Sequence, residues 1–422
     1  MAWPVPRVHA AGGDIEIKIG VIGCGGRGTG AALDALGAAT HVIYPAAGYH
    51  TESVAQGATV EKKNIRVVAL ADLFQDRLDT CRRQLEKLGI RLGDDACFVG
   101  LDAYKKLLAI GEINYVILAT PPKFRPEHLL AAIQAGKHVF VEKPVAVDVP
   151  GVKTVMEAGR LAAEKNLGIA AGTQRRHMDS YRETIQRLRD GAIGEILALK
   201  CYWNGGEIWV IEREPRMSDM EWQLRNWNYF TWLSGDHIVE QHVHNLDVMN
   251  WVMGAHPVRA VSALGGRQVR TAEKYGNIFD HFAVEYEYPG GVLMVSQCRQ
   301  INGCRNLVGE MAIGTQGTSN CADFIAPKQG EVWKFRGRQR SAYQLEHEHL
   351  IESIREGRPI NEAQAVAEST MTGIIGREAA YSGQEITWDA AMQSTRRLGP
   401  ETIVFGPAPM PEVAKPGTYR FS

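Results

Sequence analysis

An apolar, β-branched run at residues 15–22 (IEIKIGVI) leads straight into Gly23-Cys24-Gly25-Gly26-Arg27-Gly28, and an Ala/Leu-rich stretch follows at 29–37. A strand that turns on three glycines into a helix commits the chain to opening with a parallel βαβ unit. The first glycine permits the tight turn, the second lets backbone approach a pyrophosphate, and the third lets helix and strand pack closely. The start of the helix adds N–H donors and a partial positive charge for an anion. In this context Gly23, Gly25, Gly26, Arg27 and Gly28 read as a dinucleotide cradle. The alternative is a glycine-rich turn with no ligand.

The same rhythm continues. An apolar strand at about 65–71 ends at Asp72, and an amphipathic helix follows with Leu78, Leu85 and Leu88 on one face. Tyr115–Ala119 is another apolar run, stopped by Thr120-Pro121-Pro122. A helix at about 126–136 ends at Gly136, a capping signal. His138–Val141 then runs into Glu142-Lys143-Pro144, and a helix at about 150–165 leads to a strand at 168–171. Alternation of this kind gives a parallel doubly wound sheet. An acid is expected at the end of the second strand, about 20 residues past the motif. Asp72 holds the strand end but lies farther on, so 38–64 reads as an insertion. Its carboxylate would accept from ribose hydroxyls and repel a 2′-phosphate, favouring NAD over NADP. It could also simply cap the next helix.

After residue 180 the texture changes. Longer, partly alternating strands appear at 195–203 and 281–288, and Pro289-Gly290-Gly291 turns the latter into 292–299, as in an antiparallel hairpin. Residues 204–233 are rich in aromatics, including Trp209, Trp222, Trp227, Tyr229, Phe230 and Trp232, and are too long for a plain connector. Helices are expected at 237–253, 343–356 and 362–382, with a Pro/Gly-rich tail from 399.

Composition bounds the partners. The 422 residues carry a net charge of −1, which argues against holding nucleic acid by bulk charge. An apolar content of 45% excludes a disordered chain. No uncharged apolar run reaches 18 residues, so no membrane span is expected. Seven cysteines without a CxxC pair argue against a disulfide framework or a zinc ribbon. Cys24 reads as a small residue that fits the glycine loop.

Two constellations carry chemistry. Lys143 ends a strand on the carboxyl side of the sheet, where α/β enzymes bind ligands. There it could hydrogen-bond a reacting hydroxyl. In Asp236-His237-Ile238-Val239-Glu240-Gln241-His242-Val243-His244-Asn245-Leu246-Asp247, a regular helix would put Glu240, His244 and Asp247 on one face. His244 would carry a proton, tuned by a carboxylate. A metal held by His237, Glu240 and His244 has the wrong spacing for a zinc helix, and none is expected; a structural histidine is the plainer alternative. Glu346-His347-Glu348-His349 reads as a solvated helix face. Gln174, Arg175, Trp203, Arg225, Trp227, Asp247, His244 and Lys143 are the candidate substrate residues. Asn226 could bond hydroxyls, and Trp203, Trp209, Trp227 and Tyr229 could stack on sugar faces or merely pack the loop.

Taken together, Gly23–Gly28, Asp72, Ala119-Thr120-Pro121-Pro122, Gly136-Lys137-His138-Val139, Glu142-Lys143-Pro144 and Glu240-x-x-x-His244-x-x-Asp247 resemble the Gfo/Idh/MocA family of sugar oxidoreductases, over roughly 15–390. The resemblance implies an N-terminal Rossmann domain (15–148), then an α+β domain (149–398) with a large open, mainly antiparallel sheet, usually the oligomer interface. It implies Lys143 on the substrate hydroxyl, His244 as catalyst with Glu240, and Thr120, Pro121, Pro122 and Glu142 along the cofactor. Where many members have Asp-x-Gly-x-His, this chain has Glu240-Gln241-His242-Val243-His244.

The implied function is NAD-dependent hydride transfer to or from a secondary carbon of a sugar, glycoside or polyol, by a homo-oligomer. One alternative is a glycosidase that retains and recycles its NAD through oxidation and elimination. Another is a non-catalytic dinucleotide-binding protein. Residues 1–14 (MAWPVPRVHAAGGD) read as the tail of a leader cleaved after Ala10. Together with the tail 399–422, they look like the branch exported in folded form through the twin-arginine pathway to the periplasm. The alternative is a cytoplasmic chain with a frayed start.

Overall fold

The computed structural model describes residues 15–38, 40–43, 51–60 and 64–421. The expected leader remnant, 1–14, lies outside the described residues. So does part of the 38–64 insertion, whose described portion is an antiparallel hairpin of Thr40–Ile43 with Thr51–Val54.

The first sheet has six parallel strands. Their order is Cys97–Val99, Ile65–Asp72, Ile17–Ile22, Tyr115–Leu118, His138–Val141, Ile169–Ala171. In chain order that is 3-2-1-4-5-6, the doubly wound dinucleotide arrangement. These strands read as unbroken apolar runs because both faces are covered. On one face Ile17, Ile19, Val21, Tyr115 and Ile117 meet the first helix, Gly26–Ala35, and Leu350, Ile351 and Ile354 of the later helix Ala342–Arg355. On the other, Val116, Leu118, Val139 and Val141 meet Leu129, Val152 and Val155. The edge strand Ile169–Ala171 belongs to this sheet, so the sheet runs past the boundary expected at 148.

The second sheet has nine strands. Its order is Trp333–Lys334, Phe324–Pro327, Gly317–Ser319, Leu307–Gly314, Ile196–Gly205, Leu293–Gln300, His281–Glu287, Arg259–Gly266, Ile386–Thr387. Every pairing is antiparallel except that of Ile196–Gly205 with Leu293–Gln300. Its inner face packs on the helices Val243–Met253 and Ala363–Ser382. An α/β sheet followed by an α+β domain with an open sheet is the expected fold class.

The expected helix at 237–253 is two helices, His237–Glu240 and Val243–Met253, broken at Gln241-His242. The helix Ala342–Arg355 differs from its sequence reading too. Glu346 and His347 are buried rather than solvated, because the helix lies against the first sheet. His347 Nδ1 meets the Tyr115 hydroxyl at 2.8 Å. His349 Nδ1 meets His177 Nδ1 at 2.9 Å. All seven cysteines are free. Among the described residues, no helix is long and apolar enough to cross a membrane.

Candidate active site

The motif glycines hold three different positions. Gly23 has φ +94°, and a Cβ there would sit 2.6 Å from the Ala119 carbonyl carbon. A Cβ on Gly28 would come within 1.7 Å of the Gly23 carbonyl oxygen. Gly25 faces open space: a Cβ there would find Arg77 Nη1, 3.7 Å away, as its nearest neighbour. Two glycines therefore fold the turn, while the middle one leaves room above it, as a phosphate cradle requires. Asp72 Oδ2 accepts from Cys24 N at 2.6 Å and Oδ1 from Phe74 N at 2.8 Å. Burial pushes its carboxyl up, against the opposing pull of Arg77 and these two N–H groups. Asp72 thus ties the glycine loop to the second strand and bonds the backbone just ahead of the helix Gln75–Glu86, whose N-cap is Phe74 rather than Asp72.

These residues line one side of a cleft of about 370 Å³, within the range of small-molecule sites. Thr120 and Pro121 line it after the fourth strand. Arg125, buried behind them, donates to Thr120 O at 2.7 Å and to Pro144 O at 2.6 Å, so it pins both strand-end turns together. Thr120 Oγ1 meets His128 Nδ1 at 3.3 Å. The Lys143–Pro144 bond is cis. Glu142 is buried and accepts from Arg27 Nε at 2.9 Å; a Cβ on Gly172 would lie 2.4 Å from its Oε2. The open space over Gly25, the N–H groups of the first helix and the acid at the strand end fit a dinucleotide.

Lys143 and the broken helix form the floor. Lys143 Nζ donates to the Glu240 carbonyl at 2.7 Å and to Glu240 Oε1 at 3.0 Å. Glu240 Oε2 is buried with no partner. His244 Nδ1 is likewise unpartnered, and its ring stacks on Trp203 with centroids 5.7 Å apart. Burial, then the cations Lys143, Arg175 and Arg27, hold the His244 imidazole well below its ordinary pKa. It is neutral at pH 7, with ring nitrogens able to hydrogen-bond a hydroxyl in the cleft. Gln174 lines the cleft with Oε1 unpartnered. Among the described residues, no group of three or more His, Cys, Asp or Glu is arranged to hold a metal ion.

The structure brings Gly23, Gly25, Gly26, Arg27, Asp72, Thr120, Pro121, Glu142, Lys143, Gln174, Trp203, Trp227, Glu240 and His244 to this cleft. Seven expected residues do not line it: Gly28, Pro122, Arg175, Arg225, Asn226, Tyr229 and Asp247. Gly28 packs beneath the loop, and Pro122 opens the one-turn helix Pro122–Phe124 behind it. Arg175 pairs with buried Glu310, whose other oxygen accepts from the Tyr181 hydroxyl at 3.1 Å. Asp247 takes Arg176 Nε at 2.8 and 3.0 Å and the Ser369 hydroxyl at 2.8 Å. Arg175 and Arg176 thereby clamp the turn that carries Gln174. Arg225 is committed to Asp76 and Glu221. Asn226 is saturated, accepting from Ile211 N and donating to Lys274 O. Sequence reasoning passed over Arg125, Gln241 and Asn228. A buried arginine leaves no periodic signal, and Asn228 was hidden by the aromatics on either side.

Two family models match. One, an oxidoreductase family with an NAD-binding Rossmann fold, covers residues 17–172. The other, the GFO/IDH/MocA C-terminal domain, covers 181–319. The 2,7-anhydro-N-acetylneuraminate hydratase of Escherichia coli K12 is 28% identical over 199 residues, 46% of this chain and 48% of the relative. The chain thus spans about half the length of that relative. An inositol 2-dehydrogenase/D-chiro-inositol 3-dehydrogenase of Halalkalibacterium halodurans is 25% identical over 313 residues, 69% of this chain and 76% of the relative. The solved scyllo-inositol dehydrogenase of Lactobacillus casei, with bound NAD(H) and scyllo-inositol, superposes with a TM-score of 0.63 at 19% identity, covering 88% of this chain and 98% of that one.

Proposed function

The chain belongs to the GFO/IDH/MocA oxidoreductase family, and from that premise we propose that it moves a hydride between NAD and a secondary carbon of a sugar or polyol. The observation that carries this reading is Lys143 and neutral His244 in one cleft that the glycine loop also lines. Bound nicotinamide would supply the hydride acceptor. His244 takes the hydroxyl proton, being uncharged and unpartnered at Nδ1. Lys143 faces the developing oxyanion and offsets its charge, and Glu240 fixes where that ammonium sits. Asp72 favours NAD over NADP, since a second phosphate would meet its carboxylate. The relatives named for inositol oxidation support a cyclic polyol or sugar. The test is reduction of NAD on mixing the protein with a panel of inositols, aldoses and aryl glycosides.

A second reading, a glycosidase or lyase that recycles a retained NAD, is favoured by one feature. The aromatic segment crosses to the helix after the second strand, where Arg225 pairs with Asp76 at 3.0 Å and its carbonyl accepts from Arg77 at 3.3 Å. Asp76 and Arg77 of this bridge line the cleft together with Asp72. A relative named for hydrating an anhydro sugar fits the same chemistry, which needs no net redox change. Aglycone release from aryl glycosides with no added NAD would establish it. Leu264, Leu293, Val295, Leu307 and Met311 are exposed on one register-matched face of the nine-stranded sheet, which supports a homo-oligomer, tested by light scattering. Export in folded form is tested by cell fractionation.

A further inference from the structure

In and against the aromatic segment lie several buried amides, and all but one have both ends of the side chain hydrogen-bonded. Asn226 bonds Ile211 N and Lys274 O. Gln223 accepts from Trp232 Nε1 and donates to Pro409 O. Asn277 accepts from Thr231 N and donates to Glu412 O. Asn228 is 1% exposed, and neither its Oδ1 nor its Nδ2 has a partner. It is also the one of these four that lines the cleft.

Its position is fixed. Asn228 is the middle residue of the turn Trp227–Tyr229, in which Tyr229 N donates to Asn226 O at 3.1 Å and Phe230 N to Trp227 O at 3.2 Å. The Tyr229 hydroxyl donates to Ile208 O at 3.1 Å. Trp227 meets Trp209 edge-on with centroids 5.7 Å apart, and both line the cleft beside Asn228. A buried amide with donor and acceptor both unmet is costly in a folded protein, and it persists where a ligand supplies the missing partners.

We propose that Asn228 is a specificity-determining residue that reads a vicinal diol on the ligand in this cleft. Its Oδ1 accepts from one hydroxyl while its Nδ2 donates to the neighbouring one, and the flanking indoles cover the ring's apolar surface. This rests on the reading of the cleft as a dinucleotide and polyol site. Two bound molecules carry such a diol, the ribose of the dinucleotide and the carbohydrate, and the experiment separates them.

Asn228→Leu removes donor and acceptor at similar volume, and Asn228→Ala is the second variant should the branched side chain not fit. The melting temperature is measured without ligand, the affinity for NAD by titration, and the affinity for scyllo-inositol and glucose with NADH saturating. The expected result is an unchanged or raised melting temperature with an affinity loss of about tenfold. Loss confined to NAD assigns the diol to the ribose; loss confined to the polyols assigns it to the substrate. Unchanged affinities in both variants overturn the proposal, whether or not stability falls. If NAD does not bind the wild-type protein either, the reading of the cleft fails with it, and the two failures are distinct.

Discussion

The ammonium of Lys143 is held by two oxygens of one residue, the main-chain carbonyl of Glu240 at 2.7 Å and its carboxylate at 3.0 Å. The carbonyl is free to accept because the helix breaks there. In an unbroken helix it would take His244 N–H, which instead donates to Gln241 O at 3.4 Å. The break thus brings Lys143, Glu240 and His244 together in one cleft.

Glu240→Gln should therefore be milder than loss of the lysine. The carbonyl contact survives the substitution, and only the charge of the second anchor is lost. We expect kcat to fall about tenfold, against a factor of about 10² to 10³ for removing the ammonium that faces the oxyanion. Steady-state kinetics on both variants measures the ratio; an equal loss in the two would show that the carbonyl does not anchor Lys143.

The folding role and the ligand-facing role of the glycine motif separate by mutation. Gly28→Ala drives a methyl into the Gly23 carbonyl and should cost about 3 kcal/mol or more of stability. Gly25→Ala meets nothing closer than 3.7 Å at a negative φ, so stability should change by less than about 1 kcal/mol while NAD binding weakens. Thermal melts and NAD titrations distinguish them.

Asp72→Ala removes the carboxylate that a 2′-phosphate would meet. The ratio of kcat/KM for NAD to that for NADP should fall about tenfold, equivalent to about 1.4 kcal/mol. Its link to Cys24 N is lost as well, so NAD affinity should drop too. An unchanged ratio would reduce Asp72 to a tie for the loop.

Acid should destabilise the fold. Burial lowers His128 and His242 to about 3 from the ordinary 6.5, and holds His237 and His244 well below 6.5 as well. The unfolded chain then binds more protons, so stability is lost as pH falls below about 6.5. At about pH 5 each of the first two contributes up to about 2 kcal/mol. Asp236 acts oppositely: raised to about 6 by burial, it takes a proton in the fold first and so recovers part of the loss below that pH. The net expectation is a melting temperature that falls steadily from about pH 7 to about pH 5. A flat profile would show that these imidazoles are solvated.

Much of this was legible in residues alone. The strand–glycine–helix order, Asp72 at a strand end and Glu142-Lys143-Pro144 at another need only local pattern, because a parallel sheet buried on both faces writes itself as apolar runs punctuated at their carboxyl ends. The periodicity at 237–253 was readable as helix, but the break at Gln241-His242 was not. It is held by tertiary contacts such as His242 Nε2 with Ser296 Oγ at 2.7 Å, from a distant strand. The same limit misplaced Arg175, Asp247 and Arg225. Charged residues near a site look alike in sequence whether they face the ligand or, as here, pair with Glu310, Arg176 and Asp76.

The claim that Lys143 and His244 serve hydride transfer in this cleft is tested most directly by a single-turnover mix of the protein, one equivalent of NAD and the best polyol or sugar of the panel, followed by reduced-nicotinamide absorbance. The wild type should form reduced nicotinamide. Lys143→Ala, with NAD still bound, should form it slower by about 10² or more. Formation at the wild-type rate in Lys143→Ala, or none in the wild type with any sugar or polyol, would contradict the account.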